Sequence, residues 1–334
     1  MKLIAETAWH HEGNFDFMKK LVYQIITTTN ADIIKMHITL DFDEYMDPSH
    51  EAYQKLKFMT FNKSQWSELI KIVRKANREI MLLLNDTKAI EFGLSMNPEY
   101  VEIHSVCLND VFMLKKLKEN IKKKTKLVLG VGGTEVNEIK NVVNFLKYPD
   151  IILMFGFQNY PTIYKDVNLK KIKKIMRLFD NFEFGYADHT AWNHKYNELI
   201  TLLVASSGVK YIEKHVTTNY GEERVDWSAA ISLKMLNSLS EKIKILNELN
   251  GNGSLNMNAG EISYSIYGPM KKAAVLKKDL LSGSKLQLND IKFIRTKERT
   301  DISQLGIIDL IGTKINNDLK KKTVLKLNHF NKID

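Results

Sequence analysis

Cysteine is almost missing from this chain, with Cys107 the only one in 334 residues. A disulfide framework is excluded, and a reducing cytoplasm fits the composition. Long apolar runs are missing as well. No stretch of about 18 apolar residues occurs, so no transmembrane helix and no membrane partner are expected. No charged n-region and apolar h-region precede the first strand-like segment, Lys2-Leu3-Ile4-Ala5-Glu6, so no secretory leader is expected either. Basic residues do not alternate with aromatics, and no recognition-helix pattern occurs. Nucleic acid is therefore not an expected partner.

What is present is positive charge, +10 in all. Much of it sits in lysine runs at 115–124, 170–174 and 320–322, interleaved with Leu and Ile at helical spacing. Such runs read as solvated helix faces. A cationic protein can still steer an anionic small molecule. An apolar content of 44% and a mean hydropathy of −0.26 indicate a soluble globular chain.

Strand-like and helix-like segments alternate. Short β-rich runs are expected at 3–8, 32–36, 80–84, 100–104, 126–131, 151–155, 182–186 and 210–214. Amphipathic helices are expected at 15–28, 64–77, 135–146 and 233–249. Eight near-continuous apolar strands, most followed by a helix, predict a (β/α)8 TIM barrel over residues 1–250. Residues 251–269, rich in Gly, Asn and Ser, read as a linker. Residues 270–334 change rhythm to short β-like pieces joined by turns, the mark of a small β-rich domain.

The most telling pair of segments is Gly185-Tyr186-Ala187-Asp188-His189-Thr190 and Ile212-Glu213-Lys214-His215. Each is an apolar strand tipped by a histidine, with a helical pattern between them. In a parallel barrel both imidazoles then reach the C-terminal face, where such barrels keep their chemistry. Two converging imidazoles can hold one divalent metal. His10, His11, His37 and His104 also fall at or just after strand tips. They either enlarge such a site or hydrogen-bond the rim loops. Cys107 has no partnered base in sequence and is not expected to be a nucleophile.

With these segments in view, the chain resembles the sialic acid synthase family, which includes the legionaminate and pseudaminate synthases. The likeness is carried by Ala5-Glu6 with His11 and Gly13, by Ala31-Asp32-Ile33-Ile34-Lys35, and by Asn159-Tyr160-Pro161-Thr162 followed by Asp166-Val167-Asn168-Leu169. It continues through the two histidine-tipped segments. In the tail it extends to Asp279-Leu280-Leu281-Ser282-Gly283 and Leu310-Ile311-Gly312.

The resemblance implies a C-terminal antifreeze-like (SAF) domain and a domain-swapped homodimer. It also implies the condensation of phosphoenolpyruvate with an N-acylated aminohexose to a nonulosonic acid, for surface-glycan biosynthesis. On the same basis His189 and His215 would hold the metal, Mn2+ with Mg2+ or Co2+ as alternatives. Glu6, Lys35 and Asp226 would be catalytic. Ser105, Gln158, Tyr160 and Arg295 would bind substrate, with Arg299 the alternative to Arg295.

The departures from the family pattern cluster where phosphoenolpyruvate would lie. Glu102 stands where the family has a lysine. The serine and threonine of the family's fifth-strand Ser-Thr-Gly are replaced in Gly130-Val131-Gly132-Gly133, Ala187 replaces a serine, and Gln158 an asparagine. The third-strand Ser-Thr-Pro-Phe pattern is missing from Leu82-Leu83-Leu84-Asn85-Asp86. Each lost anion contact is worth about 1–3 kcal/mol. Backbone N–H groups of Gly132-Gly133 at a helix start are one conceivable replacement. The alternative expectation is a paralogue that has lost phosphoenolpyruvate. It would be a metal-dependent lyase on another sugar-derived substrate, or a non-catalytic sugar-binding subunit.

Overall fold

The computed structural model describes residues 1–156 and 159–331. It divides into two compact units, Met1–Gly251 and Asn252–Asp334. The first is the expected (β/α)8 barrel. Its eight parallel strands are β1 (Lys2–Glu6), β2 (Ile33–Ile38), β3 (Glu79–Leu84), β4 (Tyr100–Ile103), β5 (Lys126–Gly130), β6 (Ile151–Gly156), β7 (Glu183–Asp188) and β8 (Tyr211–Thr217). They pair in chain order, and β1 closes the barrel onto β8 with Glu6 opposite His215. A two-residue strand, β9 (Ile231–Ser232), extends β8.

The helices form where the apolar period demands them. Phe15–Thr28 buries Met18, Leu21, Val22 and Ile25, one stripe at i, i+3, i+4 and i+7. Asn14 begins it by accepting the backbone N–H of Phe17. Each such fully buried side chain contributes roughly 1.5–3 kcal/mol. Residues 39–62, between β2 and the helix Lys63–Lys75, contain two short helices, Phe42–Tyr45 and Tyr53–Lys57. Trp9, Phe42, Tyr53 and Met59 pack there as a separate apolar cluster.

The period of two along each strand sorts residues by face. Odd-numbered Tyr211 of β8 joins Ile4, Ile33, Met81, Tyr100, Val128, Ile152, Met154 and Ala187 in one apolar layer inside the barrel. Ile212 and Val216 pack outward against the helices. Below the interior layer, ion pairs Lys2–Glu79 and Lys126–Glu183 plug the N-terminal end. Above it lies a layer of buried ionisable groups.

In the second unit, β10 (Ala273–Leu276) pairs antiparallel with β11 (Ile291–Ile294). Leu276, Leu286, Ile307, Ile315 and Leu325 form its small core. The stretch read as a linker carries its own helix, Ala259–Tyr264, capped at both N-terminal groups by the pair Asn258 and Glu261.

Candidate metal centre in the barrel mouth

Three strands deliver an ionisable residue and, two positions later, a histidine. These are Lys35 and His37 from β2, Glu102 from β4 with His104 just past its end, and Glu213 and His215 from β8. A spacing of two keeps both members on the interior face of their strand. His189, just past β7, completes the group. Together they line a cavity of about 640 Å3, with Trp9, Tyr45, Ser105, Tyr160 and Asp226 on its walls.

At the cavity floor, Lys35 is enclosed by carboxylates. Its Nζ lies 2.8 Å from Glu102 Oε2, 2.9 Å from Glu213 Oε2 and 3.1 Å from Glu6 Oε2. None of the four side chains is more than 4% exposed. Burial opposes the ammonium charge, but Glu102, Glu213 and Glu6 outweigh it and hold the Lys35 pKa well above its usual value. Burial also opposes ionisation of Glu6, yet His37 and Lys35 hold it well below the carboxylate range. For Glu213 burial prevails over Lys35, and its carboxyl is pushed up to about 8. Glu102 is raised in the same sense by burial. His37 Nε2 stands 3.4 Å from Glu6 Oε1, and that carboxylate raises the imidazole's pKa against its burial.

The Nε2 atoms of His189 and His215 lie 3.2 Å apart. Burial holds His189 at about 4 and His215 well below the usual imidazole value, so both are neutral at pH 7 and fit to ligate. Two nitrogens about 2.1 Å from one ion and at right angles would stand about 3 Å apart. Glu213 offers a carboxylate oxygen within 4.8 Å of both ring nitrogens. Nitrogen and oxygen donors of this kind suit a borderline divalent ion. The residues present therefore fit the metal that the resemblance implies.

Asp226 sits in a left-handed turn, φ 62°, and accepts the backbone N–H of Trp9 at 3.1 Å. Burial raises its carboxyl pKa. Tyr160 donates to the Asp226 carbonyl, with its ring centroid 5.6 Å from that of His189. Ser105 begins a short 3-10 turn after β4, with its backbone against Gly130. A Cβ at Gly130 would come within 2.8 Å of the Ser105 nitrogen, so this position cannot take a hydroxyl side chain without moving backbone.

The structure thus brings together Glu6, Lys35, Ser105, Tyr160, His189, His215 and Asp226, joined by His37 and His104. Gln158 lies outside the described residues. Arg295 is exposed, and its guanidinium donates to the Pro269 carbonyl at 2.7 and 2.9 Å within the second unit. His11 faces its own loop, accepting the Gly13 N–H, and burial lowers it to about 3. His10 is buried with its ring 5.9 Å from that of His215. Cys107 is buried and its thiol is pushed up to about 12 by that burial. Sequence reasoning missed Glu213, which grips Lys35 with both oxygens. The signal was available as the repeated ionisable-x-His pattern.

A parallel (β/α)8 barrel with a buried charge cluster and two neutral imidazoles at its C-terminal mouth is of the class that can hold a divalent ion there. The chain belongs to the NeuB family, whose profile matches residues 16–255. It is 26% identical to an uncharacterised protein of Methanocaldococcus jannaschii, over 97% of this chain and 92% of that protein. It is 24% identical to the N,N'-diacetyllegionaminic acid synthase of Legionella pneumophila, over 98% of this chain and 94% of the relative. Among solved structures, the fold matches an N-acetylneuraminic acid (sialic acid) synthetase from Leptospira borgpetersenii in complex with citrate. That match has a TM-score of 0.71 at 23% identity, covering 78% of this chain and 88% of the other. Among the described residues, no helix is long and apolar enough to cross a membrane.

Proposed function

We propose that this chain is an enzyme of the nonulosonic-acid-synthase type, acting on an N-acylated aminohexose in the barrel mouth, with a divalent metal on His189 and His215. Family membership and the named activities of the relatives support the class. The observation that carries the site is the 3.2 Å approach of the two neutral imidazoles at the cavity. When bound, the metal would polarise a carbonyl oxygen. Mn2+ is the first choice, with Mg2+ or Co2+ as alternatives.

The protein's own groups then have definite tasks. Asp226 presents acceptors for sugar hydroxyls, and Trp9 and Tyr45 supply flat apolar walls; Glu6 is fully buried against Lys35 and acts through that lysine. Lys35 holds Glu6, Glu102 and Glu213 in place and neutralises part of their charge. In the condensation, C3 of phosphoenolpyruvate bonds to the aldehyde carbon, a water oxygen adds to C2, and the C2–O bond to phosphate breaks. The antifreeze-like nature of residues 270–334, a swapped homodimer and substrate contact by Arg295 belong to this reading.

One observation favours the second reading, a family member that no longer uses phosphoenolpyruvate. Lys35 meets three carboxylates, and Glu102 is one of them. Isothermal titration of phosphoenolpyruvate into the manganese-loaded protein separates the two. Binding at micromolar to low-millimolar concentration supports the condensation, and phosphate release with N-acyl hexosamines should then be detectable. No heat at several millimolar, about −3 kcal/mol of affinity or less, supports the second reading.

A further inference from the structure

The carboxylates around Lys35 restrict what charge the cavity can accept. An ammonium has three N–H donors and no acceptor. Lys35 stands within 3.1 Å of three carboxylates, in a place almost closed to water. Among the described residues lining the cavity it is the only lysine or arginine, against Glu51, Glu102, Glu213 and Asp226. His37 is engaged with Glu6. Glu6 alone offsets the one ammonium when ionised, and any ionisation of Glu102 or Glu213 beside it leaves the cluster net negative.

Glu102 differs from its two companions. Glu6 also accepts the Ala8 backbone N–H at 2.9 Å, and Glu213 lies beside the imidazole pair. Glu102 meets Lys35 from β4 and lines the open cavity. Removing its charge would leave Lys35 with one counter-charge fewer on the side of the space a ligand occupies, while the other two carboxylates keep the lysine in position.

We propose that Glu102 sets the charge selectivity of the cavity: by occupying Lys35 it makes the mouth favour an uncharged, hydroxyl-rich ligand over one bearing phosphate. This rests on the cavity being the substrate site, as argued above, and deepens the second reading of it, in which phosphoenolpyruvate is not used. Glu102 acts here through Lys35 and is a specificity residue.

The test compares wild type, Glu102→Gln and Glu102→Lys, each manganese-loaded, by titration with phosphoenolpyruvate and with inorganic phosphate. Circular dichroism and metal content report the fold. Glu102→Gln should bind phosphoenolpyruvate at least about tenfold tighter than wild type, and Glu102→Lys tighter still. Folded, metal-bearing variants that bind no tighter than wild type would overturn the proposal. Wild-type binding of phosphoenolpyruvate tighter than about 10 µM would overturn it without any variant. If wild type takes up no manganese, the metal reading fails instead. The comparison with inorganic phosphate still decides the role of Glu102 in the metal-free protein.

Discussion

His189 and His215, 26 residues apart in the chain, hold their Nε2 atoms 3.2 Å apart at the tips of adjacent strands. Neither imidazole is charged at neutral pH, because burial opposes it. Without an ion, one ring donates its N–H to the other. A bound ion would be held by a lone pair from each ring. His189→Ala and His215→Ala should each lose bound manganese while the barrel stays folded. Metal content after dialysis, read by mass spectrometry beside a circular dichroism spectrum, checks this. Full occupancy in both variants would end the metal assignment.

Among the described residues, Lys35 is the only counter-charge within 3.1 Å that Glu6, Glu102 and Glu213 share. Lys35→Met would leave three carboxylates buried together. Removing one partner of a buried ion pair costs about 3–5 kcal/mol. Urea unfolding of the metal-free variant should show a loss of that order. Added manganese should recover part of it, since the cation restores charge balance. A loss under about 1 kcal/mol would mean that the carboxylates simply take up protons.

Buried histidines also predict a pH response. Burial lowers His11 to about 3 in the folded protein, whereas the unfolded value is about 6.5. The unfolded chain therefore binds this proton first. The stability tied to a neutral His11 is complete above pH 6.5 and is lost as pH falls from there toward 3. Glu213, raised to about 8, works in the opposite direction, losing its contribution as pH rises from about 4.5 to 8. His11→Asn removes the first effect alone. Compared with metal-free wild type, it should lose less stability between pH 6.5 and 4. Parallel curves for the two proteins would contradict the burial argument.

Gly130 allows β5 to approach the turn after β4. Gly130→Ser would place a Cβ 2.8 Å from the Ser105 nitrogen, so backbone must shift. Overpacking of this kind costs about 1–3 kcal/mol. Chemical denaturation should show that loss, together with weaker manganese binding if the displaced turn carries His104 with it. A variant as stable as wild type would show that the turn yields freely.

The two compact units divide at Gly251. A chain ending there should fold with a single cooperative transition, since the barrel closes on itself through β1 and β8. Size-exclusion chromatography then tests the swapped dimer. A shift to monomer supports it, and an unchanged dimer argues against it.

The barrel was legible along the chain. Eight apolar runs with helices between them admit few other arrangements, and the parallel, closed sheet follows their order. The two histidine tips were legible too, because a period of two and a strand end place a side chain without further information. What the sequence could not supply was the company each residue keeps. Lys35 and Glu102 lie 67 positions apart, and their 2.8 Å contact exists only because β2 and β4 flank the same interior. Read along the chain, Lys35 looks like a free cation and Glu102 like a lost one. Only closure of the barrel, which packs four ionisable groups into one dry layer, decides that the lysine is already bound and that three carboxylates compete for it. The mouth's charge is therefore a property of the tertiary structure, set by burial and distance.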